Sequence, residues 1–311
     1  MNRGLTFDTL PPPGPAWGGS LMGTSLMATL MLTSGLRLVA WPFAILGAVI
    51  FAVLLVGFAV YRTPRFHQDL MAPWAMWFIG IMALGTAWTK LTGAHWCILV
   101  GFWVGAPLCL VAYANQLRRF SGTPNFAWGL PLVGPIMASN TAGSIAELTG
   151  QRAYWILGIG CMILAVVAAY PLFIRVYIAA FRGEADIAGP AAATTWIPLG
   201  VVGQSTSAIA LLFGTRVEIL VGSALLILAI PMALFAMWHF YPAVLKWVDY
   251  SPAWWASTFP TGAIGVGGYS LAQAWDLDWL STIATVLPAL LIVHWCLCAA
   301  RFLSWWVALR R

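Results

Sequence analysis

Apolar residues run in long blocks along the chain, and charged or turn-forming residues end each block. A helix that spans a bilayer needs about 20 mostly apolar residues. By that measure the sequence predicts an all-α polytopic membrane protein, a single transmembrane domain over residues 1–311 with short loops. The ten predicted spans lie at approximately 15–34, 38–60, 72–92, 95–117, 127–146, 153–177, 196–214, 217–243, 254–274 and 280–306.

The composition supports a membrane environment. Hydrophobic residues make up 61% of the 311 residues and charged residues only 8%, whereas ordinary soluble domains have roughly 45–50% and about 25%. So few charges could not cover a surface in water, which excludes an ordinary soluble domain. The 19 Trp and 16 Phe residues are typical of chains whose aromatic rings lie at membrane–water interfaces.

The basic residues predict how the chain is oriented. If the N-terminus is inside, the cytoplasmic loops and ends hold eleven Lys and Arg residues and the outer loops hold four. Cytoplasmic loops carry the excess of Lys and Arg in membrane proteins. We therefore expect both termini to be cytoplasmic and the protein to be a multi-pass protein of the inner or plasma membrane. The topology explains the net charge of +6, so no nucleic-acid partner is inferred.

The combined content of glycine and proline alternates from span to span. The odd-numbered spans hold 21 of these residues in about 101 positions, against 13 in about 125 positions of the even-numbered spans. Irregular backbone is tolerated in a membrane only against protein or a water-filled cavity. The pattern favours five helical hairpins around a central pore, with the odd helices inside. The alternative is that these small residues serve only the close packing of helices. The candidate helix breaks are Pro73, Pro131, Pro135, Pro198, Gly200, Gly203, Pro260 and Gly262.

The inner spans have almost no ionisable residue at membrane depth, since Lys90 and Glu147 lie at span ends. Their polar groups are neutral hydroxyls and amides close to the predicted breaks. Together with the positive end of a half-helix, such groups can hold an anion weakly, as conduction requires. The candidate pore-lining and anion-binding residues are Thr24, Ser25, Thr86, Ser139, Asn140, Gln204, Ser205, Thr206 and Thr258.

Catalytic, metal-binding and nucleotide-binding motifs are absent from the sequence. We therefore expect no enzyme activity, no cofactor and no metal. His239 and His294 keep open a less favoured alternative, a membrane-embedded haem protein or enzyme. Hydrogen bonding between helices is the simpler interpretation of both histidines.

Four stretches together resemble the tellurite-resistance/dicarboxylate transporter family, and PLGVVGQS is most similar to its malate and sulfite branch. The resemblance implies five hairpins around one pore, a homotrimer with a pore in each subunit, and Phe259 of the TFP motif as the pore gate. Packing of Phe259 between helices is the alternative. The stretches are PAWGGSLMGTSLMATL (15–30), PNFAWGLPLVGPIMASNTAG (124–143), WIPLGVVGQSTSAIALL (196–212) and WWASTFPTGAIGVGGYSLA (254–272).

The sequence thus predicts transport of a small anion across a membrane, and a malate-like C4-dicarboxylate is the first candidate substrate. A passive inorganic anion channel and a sulfite or tellurite exporter are the alternatives. The expected partners are the anion, membrane lipid and further copies of the chain.

Overall fold

The computed structural model describes residues 10–308, and the regular secondary structure in that range is entirely helical. The all-helical fold class is therefore confirmed. We number the long helices of this range in chain order and count a π-helical turn, Glu218–Gly222, as part of α8. They are α1 Gly18–Thr33, α2 Arg37–Tyr61, α3 Met71–Thr92, α4 His95–Arg118, α5 Leu130–Thr149, α6 Arg152–Phe181, α7 Ile197–Phe213, α8 Thr215–Leu245, α9 Thr258–Trp275 and α10 Asp278–Ala308.

Seven of the helices in the described range are long and apolar enough to cross a bilayer: α2, α3, α4, α6, α7, α8 and α10. The chain therefore has the helices of a multi-pass membrane protein. The other three, α1, α5 and α9, have 16, 20 and 18 residues. Helix α7 by itself has 17 residues and belongs to the seven together with the 3-10 segment before it, as Gly189–Phe213. The count of ten spans, their boundaries and their orientation stay predictions, because helix ends alone do not fix where lipid begins.

The odd-numbered helices contact one another in a closed cycle. Helix α1 packs on α3, α3 on α5, α5 on α7, α7 on α9, and α9 returns to α1. Each even-numbered helix packs against the odd-numbered helix that precedes it in the chain. In its most apolar stretch, α7 is 83% buried whereas α8 is 17% buried. We call the five odd-numbered helices the inner ring; whether a pore runs through it stays a prediction.

The helix interruptions lie elsewhere than the sequence predicts. Each inner helix is preceded by a 3-10 segment, and Pro73, Pro131, Pro198 and Pro260 lie in the first turn of the α-helix that follows. The reason is that a proline in the first turn sacrifices no helical hydrogen bond. The backbone at the remaining four candidates is helical: Pro135, Gly200, Gly203 and Gly262.

Mid-helix prolines are instead common in the outer helices, for example Pro107 in α4 and Pro231 in α8. The inner ring therefore consists of continuous helices, and the change of helix type falls at the start of each one. This start lies on the side of the protein that the basic residues predict to be cytoplasmic.

Glycines of the inner ring mark close contacts between helices. A Cβ atom added to Gly203 of α7 would overlap the backbone of Ala263 in α9, and one added to Gly23 of α1 would overlap Thr258. At Gly203 the neighbour is backbone, so it has no rotamer to which it can move. Close packing is thus one demonstrable role of these glycines.

We expect Gly203→Ala to destabilise the protein. The added methyl group must separate α7 from α9, and overpacking of this kind costs about 1–3 kcal/mol. The measurement is the thermal unfolding midpoint in detergent.

Gly160→Ala is the matched control, because a Cβ atom at Gly160 of α6 meets no other atom within 4 Å. It should leave the midpoint unchanged or raise it slightly, since alanine is the better helix former. Equal midpoints for the two variants would contradict the close contact at Gly203.

Candidate functional site

A cavity of about 480 Å³ lies between the C-terminal halves of the five inner helices. Exposed residues, among them Lys90 and Glu147, lie at its rim. We call this cavity the vestibule; it faces the predicted outer side. Its lining includes Leu26, Thr29 and Thr33 of α1, Ala83, Thr86 and Lys90 of α3, Met137, Asn140, Ser144 and Glu147 of α5, Gln204, Ser207 and Leu211 of α7, and Val266, Ser270 and Gln273 of α9.

The vestibule residues recur every three or four positions on each helix, as in Asn140, Ser144 and Glu147 of α5. That spacing places them along one face of an α-helix. Apolar residues such as Leu26 and Val266 lie deep in the vestibule, and polar residues follow toward the rim. The vestibule is thus formed by one face of each inner helix.

A side-chain hydrogen bond joins two inner helices at the vestibule wall. The Asn140 side-chain nitrogen donates to Gln204 Oε1 at 2.6 Å, which links α5 to α7. In this orientation, assigned from the hydrogen-bond network, the amide of Gln204 keeps its own two N–H donors. An amide group near the middle of an inner helix can therefore donate to an anion.

Several hydroxyl groups of the vestibule, among them those of Thr86 and Ser207, donate back to their own helices, whereas Ser270 Oγ donates to Glu218 Oε1 of α8 at 2.5 Å. Thr86 Oγ1 donates to the Met82 carbonyl at 2.9 Å, and Ser207 Oγ donates to the Gly203 carbonyl at 3.2 Å. A hydroxyl in this state presents lone pairs to the cavity, and it must rotate before it can donate to an anion. Lys90 and the Gln204 amide are thus better placed as donors than the hydroxyls.

Lys90 and Glu147 put one charge of each sign at the vestibule rim. Both residues are exposed, and no ion pair joins them in the described part of the chain. The lysine belongs to the last turn of α3, where a cation offsets the negative end of the helix dipole. The rim is electrostatically mixed, so it does not form a strong anion site.

The other end of the inner ring is closed. All five inner helices line a space of about 10 Å³ there, and the contributing side chains include Met22, Met76, Val133 and Phe259. The Phe259 side chain is only 3% exposed. A cavity needs about 10–15 Å³ to hold one water molecule. The space beside Phe259 therefore holds at most about one water molecule.

The candidate pore residues divide into two groups. Thr86, Asn140 and Gln204 line the vestibule. Six others lie outside its lining: Thr24, Ser25, Ser139, Ser205, Thr206 and Thr258.

Contacts show where some of these six side chains point. Thr24 Oγ1 accepts from the Trp295 indole at 3.0 Å, and Ser205 Oγ accepts from the Tyr170 hydroxyl at 3.2 Å. These partners belong to α10 and α6, so both side chains face outer helices. Neighbouring positions on a helix differ in direction by about 100°, so a residue next to a vestibule residue can face away from the vestibule. Whether Thr86, Asn140 and Gln204 bind an anion stays a prediction.

Sequence reasoning missed Thr29, Ser270 and Gln273 as vestibule residues. A usable signal was present on α9, because Val266, Ser270 and Gln273 continue the helical face that Phe259 begins. Counting in steps of three, four or seven from the TFP motif would have found them.

An all-helical membrane protein with a polar vestibule and an apolar constriction on one axis has the architecture of a channel or transporter. Residues 14–303 match the voltage-dependent anion channel family. The chain belongs to this family, which is the tellurite-resistance/dicarboxylate transporter family that its motifs resemble. Members of the family are channels and transporters rather than enzymes. A comparison with curated proteins gave no significant match.

Cysteine labelling tests the position of the vestibule. We expect Ser144→Cys to react with a membrane-impermeant thiol reagent, because Ser144 lines the vestibule and is partly exposed. Ser139→Cys, on the same helix, is the matched control, since Ser139 is fully buried outside the vestibule lining. Labelling is measured by mass spectrometry against the parent chain, which contains five free cysteines. Equal labelling of the two variants would contradict the vestibule.

Proposed function

We propose that this protein transports small anions across the inner or plasma membrane along the axis of the inner ring. The observation that carries the proposal is that five helices line both the polar vestibule and the apolar constriction at Phe259. Membership of an anion channel family supports the anion as the transported species. The protein acts in lipid, and by resemblance to its family it assembles as a homotrimer.

We further propose Phe259 as the gate. Its ring is buried where the axial space is smallest, beside Met22, Met76 and Gly200. An apolar ring at this point imposes a dehydration barrier on any ion. Movement of this side chain would widen the axial space at its narrowest point.

A malate-like C4-dicarboxylate is the first candidate substrate. The vestibule volume of about 480 Å³ exceeds what a molecule of this size needs, and the PLGVVGQS motif resembles the malate branch of the family. A passive inorganic anion channel is the second candidate, and the charges favour it. Lys90 is a single cation and faces the acid Glu147, which suits a monovalent anion such as chloride, nitrate or hydrogensulfite better than a dianion.

Phe259→Ala is expected to raise anion flux by at least about tenfold, which corresponds to a barrier lowered by about 1.4 kcal/mol. The assay loads proteoliposomes with labelled malate, chloride, nitrate or sulfite and follows the release of each. Greater release of malate would identify the dicarboxylate as substrate, and release of the inorganic anions alone would identify a channel for them.

Phe102→Ala is the control for the loss of a buried phenyl ring, since Phe102 is equally buried but lies on the outer helix α4. We expect this variant to keep the parent flux. If Phe259→Ala also keeps the parent flux while remaining folded, Phe259 is not the gate.

The rim charges should act in opposite directions on flux. We expect Lys90→Gln to lower the rate at subsaturating anion about threefold and Glu147→Gln to raise it by a similar factor, as a unit charge several ångströms away in water implies. Both effects should shrink as an impermeant salt is added.

Lys246→Gln is the matched control, because Lys246 is exposed just after α8, on the opposite side from the vestibule. This substitution should not change the rate at which anions enter from the vestibule side. A change of the same sign in Lys90→Gln and Glu147→Gln would argue against an anion as the transported species.

A further inference from the structure

His294 is a completely buried polar residue on the outer helix α10. Its ring meets Trp196 edge-on, with ring centroids 4.6 Å apart, and lies 5.3 Å from the ring of Phe240. A buried imidazole surrounded by aromatic rings is costly unless both ring nitrogens find partners.

Both nitrogens of His294 do find partners. Nδ1 lies 3.0 Å from Thr261 Oγ1 and 3.3 Å from the Ser257 carbonyl oxygen, and Nε2 lies 3.1 Å from the Tyr241 hydroxyl. The three partners belong to α9, to the 3-10 segment before it, and to α8. His294 thus ties α8, α9 and the 3-10 segment before α9 to α10.

The directions of these hydrogen bonds are consistent with one neutral tautomer. Thr261 Oγ1 donates its proton to the Ser257 carbonyl at 2.7 Å, so the Thr261 lone pairs are free to accept. Nδ1 then carries the proton and donates, while Nε2 accepts from the Tyr241 hydroxyl. Every polar group in the cluster is satisfied in this arrangement.

Two partners of His294, one in α9 and one in the 3-10 segment before it, flank the proposed gate. Ser257 and Thr261 lie two residues before and two residues after Phe259. Positions four apart share one face of a helix, whereas a position two residues away points about 200° around it. His294 therefore holds the back of the helical turn, and Phe259 projects from the front into the axial constriction.

One further hydrogen bond from α10 reaches the segment just before this turn, from Cys298 Sγ to the Trp254 carbonyl at 3.3 Å. Pro260 has no backbone N–H to donate, and Gly262 has no side chain. The hydrogen bonds to His294 fix a direction, which van der Waals contacts along a smooth helix face do far less well.

We propose that His294 is the positioning residue of the gate: its hydrogen bonds to Ser257 and Thr261 hold the first turn of α9 in the rotation that keeps Phe259 in the constriction. This inference rests on the proposed function of Phe259 as the gate. His294 itself touches neither the vestibule nor the axis, so it acts through α9.

The test compares His294→Leu with His294→Asn, two side chains of nearly equal shape. The Asn amide can donate from the place of Nδ1 to Ser257 and Thr261, and Leu cannot. We expect His294→Leu to raise chloride and malate flux from proteoliposomes roughly threefold to tenfold, the range that one or two lost hydrogen bonds imply. His294→Asn should stay within about twofold of the parent, by the same reasoning.

The same pair in a Phe259→Ala background separates positioning from a general structural role. If His294 acts through Phe259, Leu and Asn should give equal flux once the phenyl ring is gone. A difference that persists without the ring, or no difference when the ring is present, would overturn the inference.

The outcome for Phe259→Ala alone keeps the two proposals distinguishable. If that variant raises flux while the Leu and Asn variants match the parent, the gate stands and the role of His294 is wrong. If Phe259→Ala changes nothing, both proposals are wrong.

Gel filtration and thermal unfolding will show whether His294→Leu folds. If it does not, a second pair of variants, Thr261→Val and Thr261→Ser, tests the same inference. The valine lacks the hydroxyl that accepts from Nδ1, and the serine retains it. We expect only the valine variant to raise flux, and only when Phe259 is present. Equal flux for valine and serine would overturn the role of His294.

Discussion

The close approach of the five inner helices is the constraint on which the rest of the structure depends. Gly18 lies so near the backbone of Trp77 in α3 that a Cβ atom there would be 2.5 Å from the Trp77 nitrogen. Gly267 similarly meets the carbonyl oxygen of Gly203, at 2.7 Å from the added Cβ. These contacts set the diameter of the ring. A wider ring would leave the axial constriction unfilled, because one phenyl ring and a few Met and Val side chains could no longer close it.

The two ends of the axis differ in their electrostatics. All five inner helices run in the same direction, so their positive ends lie together near the constriction and their negative ends lie together at the vestibule rim. Lys90 opposes the negative end of α3 at the rim. The Gln204 amide offers donors between these two ends. Such a path gives an anion weak, scattered stabilisation, which allows it to enter and also to leave.

The starts of α5, α7 and α9 combine two structural features, a proline in the first turn and a preceding 3-10 segment with buried aromatic residues. Proline there fixes the backbone without loss of a helical hydrogen bond, and the preceding 3-10 segments bring large aromatic residues such as Trp196 and Trp254 into the interior. In α9 this turn carries Phe259 on one face and the bonds to His294 on the other. A residue on an outer helix can thus influence the axis without touching it.

The sequence by itself determined the membrane environment, the all-helical class, the family and the alternation between small-residue and bulky helices, because these follow from composition and from motifs local in the chain. Only the tertiary structure decided which polar residues share a cavity. Thr24 and Ser25 are as polar as Thr29 and lie closer to a glycine in the chain, yet of the three only Thr29 lines the vestibule. The direction in which a side chain points depends on the rotation of its helix relative to the neighbouring helices. That rotation is set by contacts with residues distant in sequence, such as those of Gly203 and His294.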